Sequence, residues 1–263
     1  MKLSITTKQI ALTAIFAAIY AVLRAIPTVP MVGVPGATFS LSDVLAPLYG
    51  IILGPYVGGA SVILGTFTAM GVKPPVFLGL DFLPGFVNAV SLGFLVRKKW
   101  LPVVALNVAL LLVFVLNPLT LNLVNIPLGS SSFVFPFMWL HIVALIVLIS
   151  PLGLKAVEWV QTMKSTKTIS GFAILAFIGT MIQHLMGNIL YENIFVYVTN
   201  FMTPASLALR WQIVFFLYPW ERLMLIVLAV VTGVPLIRAL QKAHFVPSKS
   251  IDQRTQPKES SPS

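Results

Sequence analysis

Apolar residues fill the first helix-length stretch, 8–26, yet one face of it is lined with alanine. Ala11, Ala14, Ala18, Ala21 and Ala25 recur at alternating spacings of three and four, which places all five on one side of a helix. A charge-free loop follows, Pro27-Thr-Val-Pro-Met-Val-Gly-Val-Pro-Gly36, and then two short apolar stretches that meet at Gly54-Pro55. Further along, long apolar runs alternate with brief polar breaks. The pattern predicts helical segments at about 8–26, 40–54, 56–71, 76–96, 101–117, 133–150, 169–190 and 213–237, eight in all. A helix needs about 20 apolar residues to cross a bilayer core, so the second and third are short. At about 1.5 Å per residue, roughly 15 residues reach only about 22 Å. These two are read as a hairpin that turns at Gly54-Pro55 within a thinned region. Every segment is predicted to be helical because backbone groups in lipid must be bonded within the segment. The expected fold class is therefore all-α: a polytopic α-helical integral membrane protein with about eight transmembrane segments, two of them short.

Composition agrees. Hydrophobic residues make up 58% of the chain and charged residues 9%, with mean hydropathy +0.96, against roughly a quarter charged in soluble domains. The first apolar segment is read as a retained span, since no small-residue cleavage site follows a short basic stretch. Cysteine is absent, which excludes disulfides, thiolate metal sites and a thiol nucleophile.

The net charge of +10 would suggest nucleic acid in a soluble protein. Here the basic residues sit in short runs between apolar segments, the pattern that orients a membrane protein, and no nucleic-acid partner is expected. With the N-terminus inside, Lys2, Lys8, Arg97, Lys98, Lys99, Lys155, Lys164, Lys167, Arg238, Lys242, Lys249, Arg254 and Lys258 are cytoplasmic, while Arg24, Lys73, Arg210 and Arg222 fall toward the outside. Both termini are predicted to be cytoplasmic. Residues 1–244 form the transmembrane domain, and 245–263, rich in Ser, Pro, Gln and charge, read as a disordered cytoplasmic tail.

Ionisable and amide side chains inside spans are costly and often functional. Glu221 and Arg222 lie in the last span beside Tyr218 and Trp220. Being adjacent, they point about 100° apart and need not pair with each other; Arg222 suits a ligand carboxylate or phosphate. Gln183, His184 and Asn188 form a second polar group, with His184 and Asn188 one turn apart on one face. Trp139, with Trp211, Tyr218 and Trp220, suits a flat ring. The candidate substrate-binding residues are thus Arg222, His184, Asn188, Gln183, Trp139 and Glu221, although bonds between helices account for several equally well. His141, near Trp139, reads as an interface residue. Asp43 within Ser40-Leu-Ser-Asp43 reads as a helix cap, and Asp81 and Asn88 share a face of the fourth span. Small-residue pairs such as Ala14-x-x-x-Ala18 let backbones approach closely, either within the chain or on a separate membrane subunit. No H-E-x-x-H, G-x-S-x-G or P-loop occurs, so no catalytic residue, metal site or cofactor is assigned, and any ATP-driven role needs a separate subunit.

The first hundred residues resemble the substrate-binding S components of energy-coupling factor (ECF) transporters. The resemblance rests on the alanine-rich first span with Ala14-x-x-x-Ala18, the Pro-rich first loop, and Phe39-Ser-Leu-Ser-Asp43 leading into Leu48-Tyr-Gly50-Ile-Ile-Leu-Gly54-Pro55-Tyr-Val-Gly58-Gly59. It extends to Asp81-Phe-Leu-Pro-Gly-Phe-Val-Asn88. It implies a multi-pass protein of the cell (plasma) membrane that captures a vitamin or similar compound outside the cell. It also implies docking, through Ala14 and Ala18, on a transmembrane coupling subunit driven by two ATPases, with residues 27–39 covering the bound molecule. The family usually has six spans where this chain shows eight, so the resemblance assigns no binding residue in the later spans. The alternative is a stand-alone secondary transporter or permease, with Asp81, Glu221 and His184 as the candidates for proton traffic.

Overall fold

The computed structural model describes residues 6–129, 131–162 and 165–242; the tail expected at 245–263 lies outside them. Helix α1 (Thr7–Arg24) starts at a reciprocal cap: the Gln9 backbone N–H donates to Thr6 Oγ1 at 3.3 Å and the Thr6 N–H donates to Gln9 Oε1 at 2.9 Å. Such a pair satisfies two of the open donors at a helix start. Phe16, Ala17, Tyr20 and Arg24 are buried. The alanine seam lies on the other side, with Ala11, Ala14, Ala18 and Ala25 exposed and Ala21 partly so. Packing within the chain therefore uses Phe16, Ala17, Tyr20 and Arg24 of α1, and the alanine seam faces outward.

After α1 a two-stranded antiparallel hairpin, β1 (Pro27–Pro30) and β2 (Thr38–Ser40), leads through a short 3-10 turn into α2 (Ala46–Ala69). Helix α2 is broken inside: Gly54 has φ 79° and ψ 179°, a conformation open to glycine and strained for other residues. A Cβ added at Gly58 would lie 2.6 Å from the Tyr49 carbonyl oxygen. Residues nine apart in an unbroken helix are separated by about 13 Å along the axis, so the chain folds back at Gly54-Pro55. The element is two short antiparallel legs, the hairpin expected from sequence. Gly93 of α3 (Leu83–Leu95) packs on the turn, where an added Cβ would contact Pro55 and lie 2.6 Å from the Gly54 carbonyl carbon.

Helix α4 (Trp100–Leu116) rises to a second antiparallel hairpin, β3 (Leu123–Leu128) and β4 (Ser131–Pro136), and the chain returns in α5 (Trp139–Ile149). This corrects the expected helix at 133–150, whose first residues are strand: Phe133-Val-Phe-Pro favours extended backbone, and Pro136 cannot donate within a helix. At Ser150-Pro151 the chain bends by 69° into α6 (Pro151–Gln161), a helix absent from the predicted segments. Helix α7 (Ser165–Asn193) ends in a π turn, Ile194–Val198, and α8 (Pro204–Lys242) begins well before residue 213.

The chain is thus a polytopic helical membrane protein with two small hairpins. Among the described residues four helices are long and apolar enough to cross a membrane, or five if α5 and α6 count as one bent span. One of the four is the folded-back α2. The two ends of the bundle differ. One gathers both hairpins and the α2–α3 turn. The other holds the α2 fold-back, where the Arg97 guanidinium lies over the Tyr56 ring (5.9 Å to the centroid). Gln161 bonds the Val96 carbonyl there at 3.2 Å.

Candidate binding site

At the hairpin end a cavity of about 100 Å³, several times the space one water needs, lies between the first loop, the α2–α3 turn and helices α7 and α8. Met31, Val32, Thr38 and Phe39 of the loop line it from one side. Two side chains fasten this roof. Tyr191 donates its hydroxyl to the Val32 carbonyl at 2.6 Å. Lys73 donates to the Thr38 and Phe39 carbonyls and to Ser40 Oγ at 2.8, 3.3 and 2.6 Å. An ammonium has three donors, so Lys73 is fully used in holding β2. Burial, with the Arg24 guanidinium adding to it, lowers its pKa from the ordinary lysine value.

A charged pair sits at the cavity edge. Arg24 Nη2 reaches Asp81 Oδ1 at 3.1 Å, with both side chains buried. The Asp81 oxygens also accept from the Val76 and Phe77 backbone N–H groups at 2.8 and 3.0 Å. Asp81 is committed to ordering the α2–α3 turn. Below it runs an amide chain, in which Asn88 Nδ2 donates to Gln183 Oε1 at 2.7 Å and Gln183 Nε2 donates to Asp43 Oδ1 at 3.0 Å. The other Asp43 oxygen accepts from the Ser40 N–H at 3.1 Å. Asp43 is the predicted cap and also the link between the first loop and α7.

Arg222 differs from Arg24. It is 4% exposed, yet its two polar contacts, to Thr180 Oγ1 and Glu221 Oε2, are both 3.5 Å, beyond the usual 2.7–3.2 Å. Its Nε has no hydrogen-bond partner, as is also the case for Arg24 Nε, and neither has Nδ2 of the buried Asn188. Buried donors are normally bonded, so this wall of the cavity presents cationic and amide donors with unused capacity. Glu221 does approach Arg222 despite being adjacent, because both side chains are long enough to bend across the angle between them.

Five of the six residues singled out from sequence, Gln183, His184, Asn188, Glu221 and Arg222, line this one cavity. Trp139 does not: it packs edge-on against Phe135 of β4 at 6.0 Å. His141 is no interface residue, being 2% exposed and 3.2 Å from His184, ring nitrogen to ring nitrogen. Sequence reading passed over Tyr191, met Phe39 only as the end of the covering loop 27–39, and counted Lys73 and Arg24 among the outer charges. Tyr191 lies eight residues beyond Gln183 on the same helix, roughly two turns on, which was the available signal.

The sequence profile described as "ECF transporter, substrate-specific component" matches residues 8–157, more than half of the chain. The chain belongs to this family. No curated protein and no solved structure shows significant similarity to it.

The match extends the S-component resemblance past the first hundred residues, through α5 and most of α6. It includes the roof hairpin, Asp43, Lys73 and Asp81, and stops short of Gln183, His184, Asn188, Glu221 and Arg222. The S component thus forms its cavity from a matched half that supplies roof and turn and an unmatched half, α7 and α8, that supplies Asn188 and the loosely bonded Arg222. Its family identifies it as a membrane-embedded, substrate-specific transporter component and not an enzyme.

Proposed function

We propose that this S component captures a vitamin or related small micronutrient in the cavity under the first loop and delivers it to an ATP-driven ECF module in the plasma membrane. The observation that carries this reading is the buried, under-bonded Arg222 beside the unpartnered amide of Asn188, in a cavity roofed by a clamped hairpin. A ligand with a carboxylate or other anionic oxygen would complete both. The substrate-binding set is Arg222, His184, Asn188, Gln183 and Glu221, with Trp139 left outside the cavity. Partners are a transmembrane coupling subunit, met through the exposed Ala14–Ala18 face, and the two ATPases that drive it. By the distribution of basic residues, the cavity end faces outward and both termini face the cytoplasm.

Native mass spectrometry of the protein gently purified from its own host tests this reading. The expected result is one small acidic compound retained together with coupling and ATPase subunits. Protein that emerges without a bound compound or companions, while an imposed proton gradient alone drives solute uptake, would favour the permease reading.

A further inference from the structure

Behind His184 lies a second histidine, His141, that substrate capture as described above does not use. His141 on α5 and His184 on α7 lie with their rings 9° from parallel and centroids 5.2 Å apart, and His184 Nδ1 is 3.2 Å from His141 Nε2. Tyr218 of α8 covers both rings at 5.7 and 5.1 Å, and its hydroxyl is committed to the Phe137 carbonyl at 3.0 Å. Only His184 lines the cavity. His141 is enclosed, and its Nδ1 has no hydrogen-bond partner. No third metal-binding side chain joins the pair among the described residues.

One proton must occupy the bond between the two rings, and its position fixes both tautomers. If His184 Nδ1 donated it, neutral His141 would carry its other proton on the enclosed Nδ1, a buried N–H without an acceptor. If His141 Nε2 donates it, Nδ1 of His141 holds only a lone pair, and buried acceptors tolerate the lack of a partner better than buried N–H groups do. The second arrangement is the stable one. It leaves His184 with its proton on Nε2, the nitrogen remaining for the cavity. Beside it stand the Arg222 guanidinium and the Asn188 amide, both with unpartnered donors.

We infer that His141 is a positioning residue that locks His184 as a hydrogen-bond donor, so that this wall reads a carboxylate on the ligand and discriminates against the matching carboxamide. The inference rests on the proposed function, since it assigns the ligand of the same cavity. The unpartnered atoms of this wall, Arg222 Nε and Asn188 Nδ2, are donors, as is His184 Nε2 in this tautomer, while the Glu221 carboxylate beside them is turned to Arg222; a carboxylate on the ligand accepts at every lone pair. A carboxamide would turn an N–H of its own toward one of these donors, leaving two donors opposed.

The test is histidine-selective 15N NMR of the full chain in detergent micelles, combined with titration by benzoate and benzamide as an acid and amide pair on one flat ring. The expected spectrum shows neutral His184 protonated on Nε2. His141→Leu should remove that fixed tautomer, and His141→Gln, whose amide can still donate to Nδ1, should restore it. A fold defect alone would not produce this split between the two variants. Benzoate should shift the His184 Nε2 resonance and bind at least about tenfold more tightly than benzamide, as expected for charge-assisted bonds, with the preference reduced in His141→Leu. His184 protonated on Nδ1 would overturn the inference, as would equal binding of the two probes. Silence toward both probes, with the tautomer as assigned, would overturn the carboxylate reading and count against the cavity as the capture site.

Discussion

Arg222 and Arg24 are both buried arginines near one cavity, and their hydrogen bonding assigns them different work. Arg24 has a close partner in Asp81 at 3.1 Å. Removing one member of a buried ion pair strands the other charge, so Arg24→Ala should lower stability by about 3 kcal/mol, read from unfolding in detergent; a change under about 0.5 kcal/mol would show the pair to be idle. Arg222 has only contacts at 3.5 Å, so its truncation should fall mainly on binding. Arg222→Ala should weaken an anionic ligand about tenfold or more, because bonds to charged groups contribute roughly 1.5–3 kcal/mol. Isothermal titration reads this directly, and unchanged affinity would remove Arg222 from the site. Much of this wall was legible in the sequence, since a polar side chain in an apolar helix needs a destination. Asp43 was half legible: its capping bond is local, but its bond to Gln183 spans 140 positions, which no local pattern encodes. Trp139 was misleading because an aromatic ring is as content against Phe135 as against a ligand.

Among the elements, α2 shows how little sequence is needed to turn a membrane helix back on itself. Gly54 supplies the positive φ, Pro55 begins the second leg, and the small residues after it let the legs touch. Gly54→Ala should destabilise the protein by about 1–2 kcal/mol for the left-handed backbone alone. The new Cβ would also press on the Arg97 guanidinium, 2.8 Å from its central carbon. A shifted thermal midpoint would check this, and an unchanged midpoint would mean that the turn is not held as described. The outward alanine face of α1 makes a contrasting prediction. Ala14→Leu with Ala18→Leu should leave ligand affinity intact while abolishing uptake in cells, since both positions are exposed and neither lines the cavity. Equal loss of binding and uptake would contradict a docking role. Hydrophobic runs revealed the helices well because lipid imposes length and composition on them. The β3–β4 hairpin and α6 were missed because they are short: most of β4 was absorbed into the apolar run 133–150, while β3 and α6, with Lys155 and Glu158, fell in the breaks between runs, and their shape is set by Pro136 and the Ser150-Pro151 bend.

For the whole molecule, the proposed function divides two tasks between two regions. The hairpin end holds a cavity whose roof is clamped by Lys73 and Tyr191, and the exposed alanine seam runs along a face that takes no part in it. A substrate-specific component needs both: a place to hold its molecule and a separate surface for the machinery that moves it. The Asp81 carboxylate, bonded to Arg24 and two backbone N–H groups, is poorly placed for the proton traffic a stand-alone permease would require. The most direct test places the purified chain in proteoliposomes loaded with the compound it retains, with and without coupling and ATPase subunits from the same host. The account predicts that the chain alone binds the compound but does not move it, even under a proton gradient, and that transport starts only with the module and ATP. Gradient-driven transport by the chain alone would contradict it.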